Sequence, residues 1–132
     1  MRKCAFLLLA VLFVTASLAG CSPYVSHYYA IMRVCTNDSD SASLIFGELD
    51  GTDVFKLKCR DGEDLRYSGK LEEGSLTVYY DCGGDKKALF SLRDGDEVSA
   101  SADALPAGTV YIIVETSGKC RGGDLAFELM DG

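Results

Sequence analysis

Cysteine is the residue type with the most evident chemistry in this chain of 132 residues, which contains six. Two of the six, Cys4 and Cys21, belong to the N-terminal segment. The others are Cys35, Cys59, Cys82 and Cys120. If the domain is exported, this even count predicts two disulfides, with three possible pairings. The alternative is four reduced, partly buried thiols. No C-x-x-C spacing occurs, which argues against a zinc site or a redox-active pair.

The remaining residue types offer little for catalysis. His27 is the only histidine, and a Ser-His-Asp or Cys-His site would have to use it. Pairs of carboxylates are frequent, but among 20 acidic residues such pairs arise from composition alone. We therefore expect no catalytic residue, no cofactor and no enzymatic activity.

Two acidic segments are weak candidates for calcium. Asp38 and Asp40 lie in one, and Asp94 and Asp96 lie in the other. Calcium takes six to eight oxygen ligands, which such loops can supply, but neither segment has the EF-hand pattern. Ordinary solvated loops explain the same residues, and we expect no metal.

Tyr79 and Tyr111 are candidates for contact with a ligand. Each lies in an alternating segment on the side opposite the cleanest apolar row, so the two rings could be exposed together on a sheet. Exposed aromatic rings would suit a carbohydrate. The alternative is that Tyr111, within the apolar run of residues 110–114, belongs to a strand buried on both sides.

The charge of the chain excludes one class of partner. The net charge is −7, and it becomes −9 when Arg2 and Lys3 of the N-terminal segment are left aside. Nucleic-acid binding requires clustered lysine and arginine, so no nucleic-acid partner is expected.

The first 20 residues have the composition of an export signal. Arg2 and Lys3 precede an apolar stretch of residues 5–14, and small residues close the segment. A transmembrane helix is the alternative, but the apolar stretch is shorter than the roughly 20 residues that span a bilayer.

The motif Leu18-Ala19-Gly20-Cys21 resembles the lipobox of bacterial lipoproteins. The resemblance implies cleavage before Cys21 and attachment of a diacylglycerol to its thiol. It therefore implies a protein anchored to the cell membrane by lipid and facing outside the cytoplasm. Ser22 stands where an aspartate tends to retain such proteins at the inner membrane, which permits outward sorting.

Apolar residues in the rest of the chain alternate with polar ones, which is the period of a half-buried strand. The segments with this pattern are residues 54–59, 65–71, 76–81, 88–92, 97–102, 110–115 and 125–129. Glycine-containing turns are expected at 50–51, 61–62, 83–84, 94–95, 106–108 and 122–123. The sequence thus predicts an all-β fold, an antiparallel, jelly-roll-like β-sandwich of seven to nine strands.

The predicted organisation is a signal peptide at 1–20, a lipidated cysteine with a short tether at 21–27, and one β-sandwich domain at 28–132. Residues 28–35 are expected to form the first strand and to pair with residues 43–49. Alternatively, Tyr24, Tyr28 and Tyr29 lie at the membrane interface, where amphipathic rings are favoured.

A second resemblance covers residues 47–129. The segments 74–81 and 106–115, followed by 123–129, are similar to pre-peptidase C-terminal domains and to lipoproteins of unknown function. This resemblance implies a β-sandwich and carries over no catalytic residue.

These observations together predict a lipid-anchored extracytoplasmic module that binds a partner or has a structural role in the cell envelope. Its partner would be a protein or a glycan at the cell surface. Loops at 36–43, 83–87, 94–97 and 117–123 would carry any specificity. The alternatives are a carbohydrate- or calcium-binding surface module, and a small envelope enzyme or inhibitor.

Overall fold

A computed structural model describes residues 24–131, in which all regular structure is β-strand. The strands are β1 (His27–Ile31), β2 (Val34–Asn37), β3 (Ser41–Cys59), β4 (Glu63–Glu73), β5 (Leu76–Cys82), β6 (Lys86–Leu92), β7 (Glu97–Leu105), β8 (Gly108–Thr116) and β9 (Cys120–Met130). Their pairing is antiparallel throughout. This confirms the predicted all-β antiparallel fold.

The strands form one sheet in the order β6-β5-β8-β3-β9-β4-β7, and β1 and β2 pair with β3 outside this path. The end strands β6 and β7 contact each other without pairing, so the sheet folds back on itself as a sandwich. One layer contains β1, β2, the first half of β3, β9, β4 and β7. The other contains the second half of β3, β8, β5 and β6.

Strand β3 belongs to both layers. Its residues 41–49 pair with β9, and its residues 52–59 pair with β8. The buried side chains change from even to odd positions along it, from Leu44 and Phe46 to Leu49, Phe55 and Leu57. Because strand side chains alternate with a period of two, the alternation is interrupted at residues 47–48, shortly before β3 passes from one layer to the other.

Gly51 lies where β3 changes its partner from β9 to β8. Its φ of +132° is one that other residues rarely adopt, and a Cβ would overlap the carbonyl oxygen of His27 in β1. The Gly51 N–H donates to Thr116 Oγ1 at 2.8 Å. The turn expected between two strands at Asp50-Gly51 is therefore wrong, because this glycine bends one continuous strand.

The turn expected at Gly122-Gly123 is also wrong, because both residues lie inside β9. Gly123 is the register partner of Phe46, and a Cβ on Gly123 would overlap the phenyl ring. The expected turns at 61–62 and 94–95 are confirmed, with φ of 84° at Gly62 and 77° at Gly95.

The core lies between the two layers, and every strand from β3 to β9 contributes to it. Its largest fully buried side chains are Phe46, Phe127, Leu44, Leu49, Leu57, Leu65, Leu71, Leu76, Leu92, Ile112 and Leu125. Ile113 is equally buried but does not belong to this cluster. The described part of the chain holds no helix with the length and apolar character needed to cross a membrane.

The predicted pairing of residues 28–35 with residues 43–49 is confirmed. It is formed by β1 and β2, which share one register along β3 and are separated by a break at Met32, where φ is 54°. Strand β1 begins at His27, one residue before the expected start of the domain.

We expect Gly123→Ala to lower the free energy of unfolding by about 1–3 kcal/mol, because the added methyl group forces the buried ring of Phe46 to move. Urea denaturation measures the change. In a Phe46→Leu background the same substitution should cost less, since the ring is gone. An equal cost in both backgrounds would show that the contact does not determine the effect.

Candidate functional site

A groove crosses the outward face of the first layer. Cross-strand register places one row of small side chains over five adjacent strands, from β2 through β3, β9 and β4 to β7. The row contains Thr36, Ser43, Ala126, Ser68 and Ser99. At about 4.8 Å between neighbouring strands, it extends over about 19 Å.

The small size of these side chains makes the groove. Its volume is about 320 Å³, and Ala42, Tyr67 and Phe127 contribute to its lining. Ala42 and Phe127 are buried on the core side, and the Tyr67 ring stacks on Phe90 with centroids 5.0 Å apart. These three residues therefore present mainly backbone to the groove, and that backbone is paired with neighbouring strands on both sides, so the side chains of the row supply the polar groups.

Two opposite charges lie at one side of the groove. Arg66 and Glu128 are register partners, both exposed, and Ser41 pairs with Glu128 on its other side. Within residues 24–131 neither charged group takes part in a salt bridge. A ligand would thus find a guanidinium donor and a carboxylate acceptor beside the row of small residues.

The hydroxyl groups of the row can accept and donate hydrogen bonds. Thr36 Oγ1 and Ser43 Oγ lie 2.7 Å apart, and Ser68 and Ser99 are exposed register partners. Hydroxyls can donate one hydrogen bond and accept two. The arrangement can hold a polar, uncharged chain by hydrogen bonds, and the side chains that line it include neither histidine nor cysteine.

A second depression, of about 670 Å³, lies near the end of β9. It is lined by Lys58, Arg60, Glu63 and Asp131, among others, and it shares Glu128 with the groove. Long charged side chains of both signs surround it. It lacks the ordered row of small residues that characterises the groove.

The predicted ligand-facing tyrosines lie in the other layer. Tyr79 and Tyr111 point outward from the adjacent strands β5 and β8, and both are half-buried. The Lys86 ammonium lies 4.3 Å from the centre of the Tyr79 ring. The Tyr24 ring lies 5.3 Å from that of Tyr111, with Lys56 at 5.8 Å. Neighbouring side chains therefore cover part of each ring.

Tyr24 is attached to this second layer by a buried carboxylate. Its hydroxyl donates to Asp81, which is 4% exposed and also accepts from the Gly84 N–H at 2.8 Å. The hydrogen bond to Asp81 is the main cause that raises the pKa of Tyr24 to about 12. Tyr24, expected in the tether, thus packs against the sandwich.

A second buried carboxylate fastens β1 and β2. Asp53 is 1% exposed, and Arg33 donates to it from Nε at 2.8 Å and from Nη2 at 3.1 Å. Ser26 Oγ also donates to Asp53, at 3.3 Å, and accepts from the Val54 N–H at 2.9 Å. A buried charge is costly unless it is paired, so this ion pair fixes Arg33 and the strands beside it.

The calcium candidates lie in two separate turns. Asp38 and Asp40 lie between β2 and β3, and Asp94 and Asp96 between β6 and β7. Asp94 accepts from the Gly74 N–H at 2.5 Å, and Asp96 from the Arg93 N–H at 2.8 Å, so both carboxylates support turns. Residues 24–131 contain no group of three or more metal-binding side chains suitably placed for an ion.

The predicted disulfides are not found among the described cysteines. Cys35 is exposed on β2, Cys82 is half-buried, and Cys59 and Cys120 are buried, all as free thiols. The four lie on four different strands, and the sheet makes none of them the register partner of another. Burial raises the pKa of the thiols of Cys59, Cys82 and Cys120, which favours the protonated form. Cys21, the predicted lipidation site, and the signal peptide at 1–20 lie outside the described residues.

The sequence alone did not reveal the groove residues. Serine, threonine and alanine at alternate positions of a strand form no motif that indicates a binding site. Of the four loops expected to determine ligand specificity, only 36–43 contributes to the groove. Ser68 and Ala126 each lie between more deeply buried neighbours on their own strands, β4 and β9. The strand order was needed to show that they are neighbours.

Comparison with known proteins gives no family for the chain. No family model and no curated protein matches it. Among solved structures, the pre-peptidase C-terminal domain of a Bacillus anthracis collagenase is similar, with 21% identity and a TM-score of 0.45, over 75% of this chain and 90% of that one.

Two further structures have comparable similarity. PliG, a periplasmic inhibitor of g-type lysozyme from Salmonella Typhimurium, has 14% identity and a TM-score of 0.45, over 83% of this chain and 92% of its own. The family 29 carbohydrate-binding module CBM29-2 has 15% identity and a TM-score of 0.41, over 83% and 82%. Similarity at this level transfers neither a ligand nor a function.

The Tyr24–Asp81 hydrogen bond predicts how stability depends on pH. The folded-state pKa of about 12 exceeds the unfolded value of about 10, so the stabilising contribution is complete below pH 10 and is lost as pH rises towards 12. We expect wild type to exceed Tyr24→Phe in urea stability at about pH 8 and this advantage to shrink by about pH 11.

Tyr29→Phe is the matched control, since the Tyr29 side chain is exposed. Its stability difference from wild type should stay constant over the same range. A Tyr24→Phe difference that is also constant with pH would contradict the assigned hydrogen bond.

Proposed function

We propose that this protein is a lipid-anchored, extracytoplasmic binding module without catalytic activity, which holds a neutral glycan chain in the groove of its first layer. The observation that carries the proposal is the row of small and hydroxylated side chains over five strands. On both sides of Ala126 the groove supplies hydroxyl donors and acceptors, from Thr36 and Ser43 on one side and from Ser68 and Ser99 on the other.

The proposed location is supported by where the fold begins. The lipobox-like motif ends at Cys21, and Tyr24 already contacts the second layer. Three residues span at most about 11 Å when fully extended. A lipid on Cys21 would therefore hold the sandwich close to the surface of a membrane, with little free tether.

The charge distribution favours a neutral ligand over an ionic one. Arg66 and Glu128 have opposite charges and lie on adjacent strands, so their fields largely cancel at the groove. The net charge of −9 outside the N-terminal segment opposes polyanions. A hydroxyl-rich chain can use both charged groups as hydrogen-bond partners, and charge-assisted hydrogen bonds are the stronger ones.

A binding role is also supported by the position of the single histidine. His27 is exposed on β1 and does not line the groove. The buried carboxylates Asp53 and Asp81 are occupied by Arg33, Ser26, Tyr24 and Gly84. General acid–base catalysis needs a titratable group in reach of the ligand, and among the described residues that line the groove Glu128 is the single carboxylate, with no histidine beside it.

Filling the groove tests the ligand assignment. Ser68→Phe places a ring in the middle of the row, and we expect it to weaken glycan binding about tenfold or more, which corresponds to about 1.4 kcal/mol. The full chain in detergent is screened against an array of neutral and acidic oligosaccharides, and the dissociation constant of the best neutral one is measured by calorimetry.

Ser91→Phe is the matched control, because Ser91 is also an exposed strand serine but lies on β6, outside the groove. It should bind as wild type does. Absence of binding to every oligosaccharide, or equal loss in both variants, would contradict the glycan proposal.

The anchor has a separate test. In a bacterial host, Cys21→Ala should abolish incorporation of labelled fatty acid. The variant should either appear in the soluble fraction or accumulate as an uncleaved precursor. Cys35→Ala, which removes an exposed thiol of the sandwich, should leave labelling unchanged. Persistent labelling of the Cys21→Ala chain would contradict lipidation at this residue.

A further inference from the structure

Exposed large apolar side chains are concentrated in one place. Within residues 24–131 they are Val25, Tyr28, Tyr29, Ile31, Met32, Val34 and Ile45. Ile45, the member that lies outside the N-terminal strands, is the register partner of Val34. Met32 is 80% exposed and Val25 75%. We call these seven residues the apolar edge. A contiguous exposed group of this kind marks an interaction surface.

The apolar edge has a defined geometry. Tyr29 and Ile31 lie on the same side of β1. Val34 on β2 and Ile45 on β3 continue that outward face. Strands β1 and β2 pair with β3 alone, so they form a free margin of the sheet. The positive φ of Met32 lies at the break between them. Tyr29, Ile31, Val34 and Ile45 therefore share one outward face at the margin of the first layer, and Tyr28 lies on the other side of β1.

The buried carboxylates keep the apolar edge in place. Arg33 is bound to Asp53, its guanidinium carbon lies 4.6 Å from the centre of the Tyr28 ring, and Ser26 is held by Asp53 and the Val54 N–H. Exposure of Met32 and Val34 is thus imposed by a fixed backbone. A segment free to rearrange could have covered these side chains.

Acidic residues are absent from the whole segment that carries the apolar edge. Residues 22–37 contain neither aspartate nor glutamate, although the chain has 20 acidic residues. His27 and Arg33 are its charged or titratable basic groups. On the neighbouring strand, Asp50 is the register partner of Tyr29, and Glu48, the partner of Ile31, is paired with Lys119 and Arg121. The segment itself therefore adds no negative charge next to the lipid headgroups, whereas residues 38–132, with 10 basic and 20 acidic side chains, carry a net charge of −10.

We propose that the apolar edge docks on the surface of the lipid bilayer, at the level of the headgroups. The chain outside the structure ends at this surface, since residues 1–23 lead directly into Tyr24 and Val25. Tyrosine rings suit the membrane interface, and apolar side chains enter it. The inference rests on the membrane anchoring in the proposed function and is independent of the ligand in the groove.

Docking would orient the sandwich. The apolar edge is continuous with the groove, because Val34 and Ile45 lie one row from Thr36 and Ser43. With β1 and β2 on the bilayer, the groove would start near the membrane and extend away from it towards β7.

Tryptophan fluorescence tests this placement, because the chain has no tryptophan of its own. Tyr29→Trp puts the reporter on the apolar edge, and Arg93→Trp puts it in the exposed β6–β7 turn as a control. The full chain is reconstituted in phosphatidylcholine and phosphatidylglycerol vesicles with and without brominated acyl chains. We expect brominated lipid to remove more than about half of the emission at position 29 and to leave position 93 unchanged.

Substitution of neighbouring exposed residues provides a second measurement. Adding Met32→Asp and Val34→Asp to the Tyr29→Trp chain should restore the emission, since charged side chains resist entry into the interface, while thermal unfolding stays close to that of the parent. Persistent quenching in this variant would contradict docking through the apolar edge.

The remaining outcomes separate the two proposals. A chain that leaves the vesicles on sedimentation would overturn the anchoring and, with it, the docking. A chain that sediments with vesicles but is unquenched at position 29 would overturn the docking alone. An emission wavelength at position 29 that shifts with protein concentration in lipid-free detergent would show that a second copy of the chain covers the apolar edge. This result would also overturn the docking proposal.

Discussion

The fold depends on one strand that serves two layers. β3 pairs with β9 along its first half and with β8 along its second, and the same strand carries β1 and β2 on its margin. A strand shared in this way must bend while keeping its hydrogen bonds, and Gly51 permits this because it alone accepts both the positive φ and the close approach of the His27 carbonyl. The core, the groove and the apolar edge all take their positions from that bend.

The first part of the described chain, residues 24–37, is held by two buried carboxylates, Asp53 and Asp81. Asp53 binds Arg33, and Asp81 binds Tyr24. Unpaired buried charges would be costly, so each carboxylate requires its partner and thereby fixes the backbone that carries it. One consequence is that Tyr24 covers part of the Tyr111 ring. Another is that the apolar side chains of β1 and β2 remain outward, beside the polar groove on the same face.

The strand periodicity was predictable, whereas several turns were not. Alternation located every strand from β3 to β9, since each has one side in the core. Glycine with aspartate correctly marked the turns at Gly62 and Gly95. It failed at Gly51 and Gly123, where glycine is needed because another part of the chain, the His27 carbonyl or the Phe46 ring, occupies the space of a side chain. A sequence shows that a residue is glycine but does not show what lies next to it.

The sequence by itself determined the class of fold, the acidic character of the domain and the export-like N-terminus, because these follow from local periodicity, composition and one contiguous motif. Tertiary structure alone decided the site. Ser43, Ser68 and Ser99 lie far apart in the chain and become neighbours only through the order of the strands. It also placed Cys35, Cys59, Cys82 and Cys120 on four different strands, where none is the register partner of another. Local patterns fix which way a side chain points, and only the assembled sheet fixes which side chains meet.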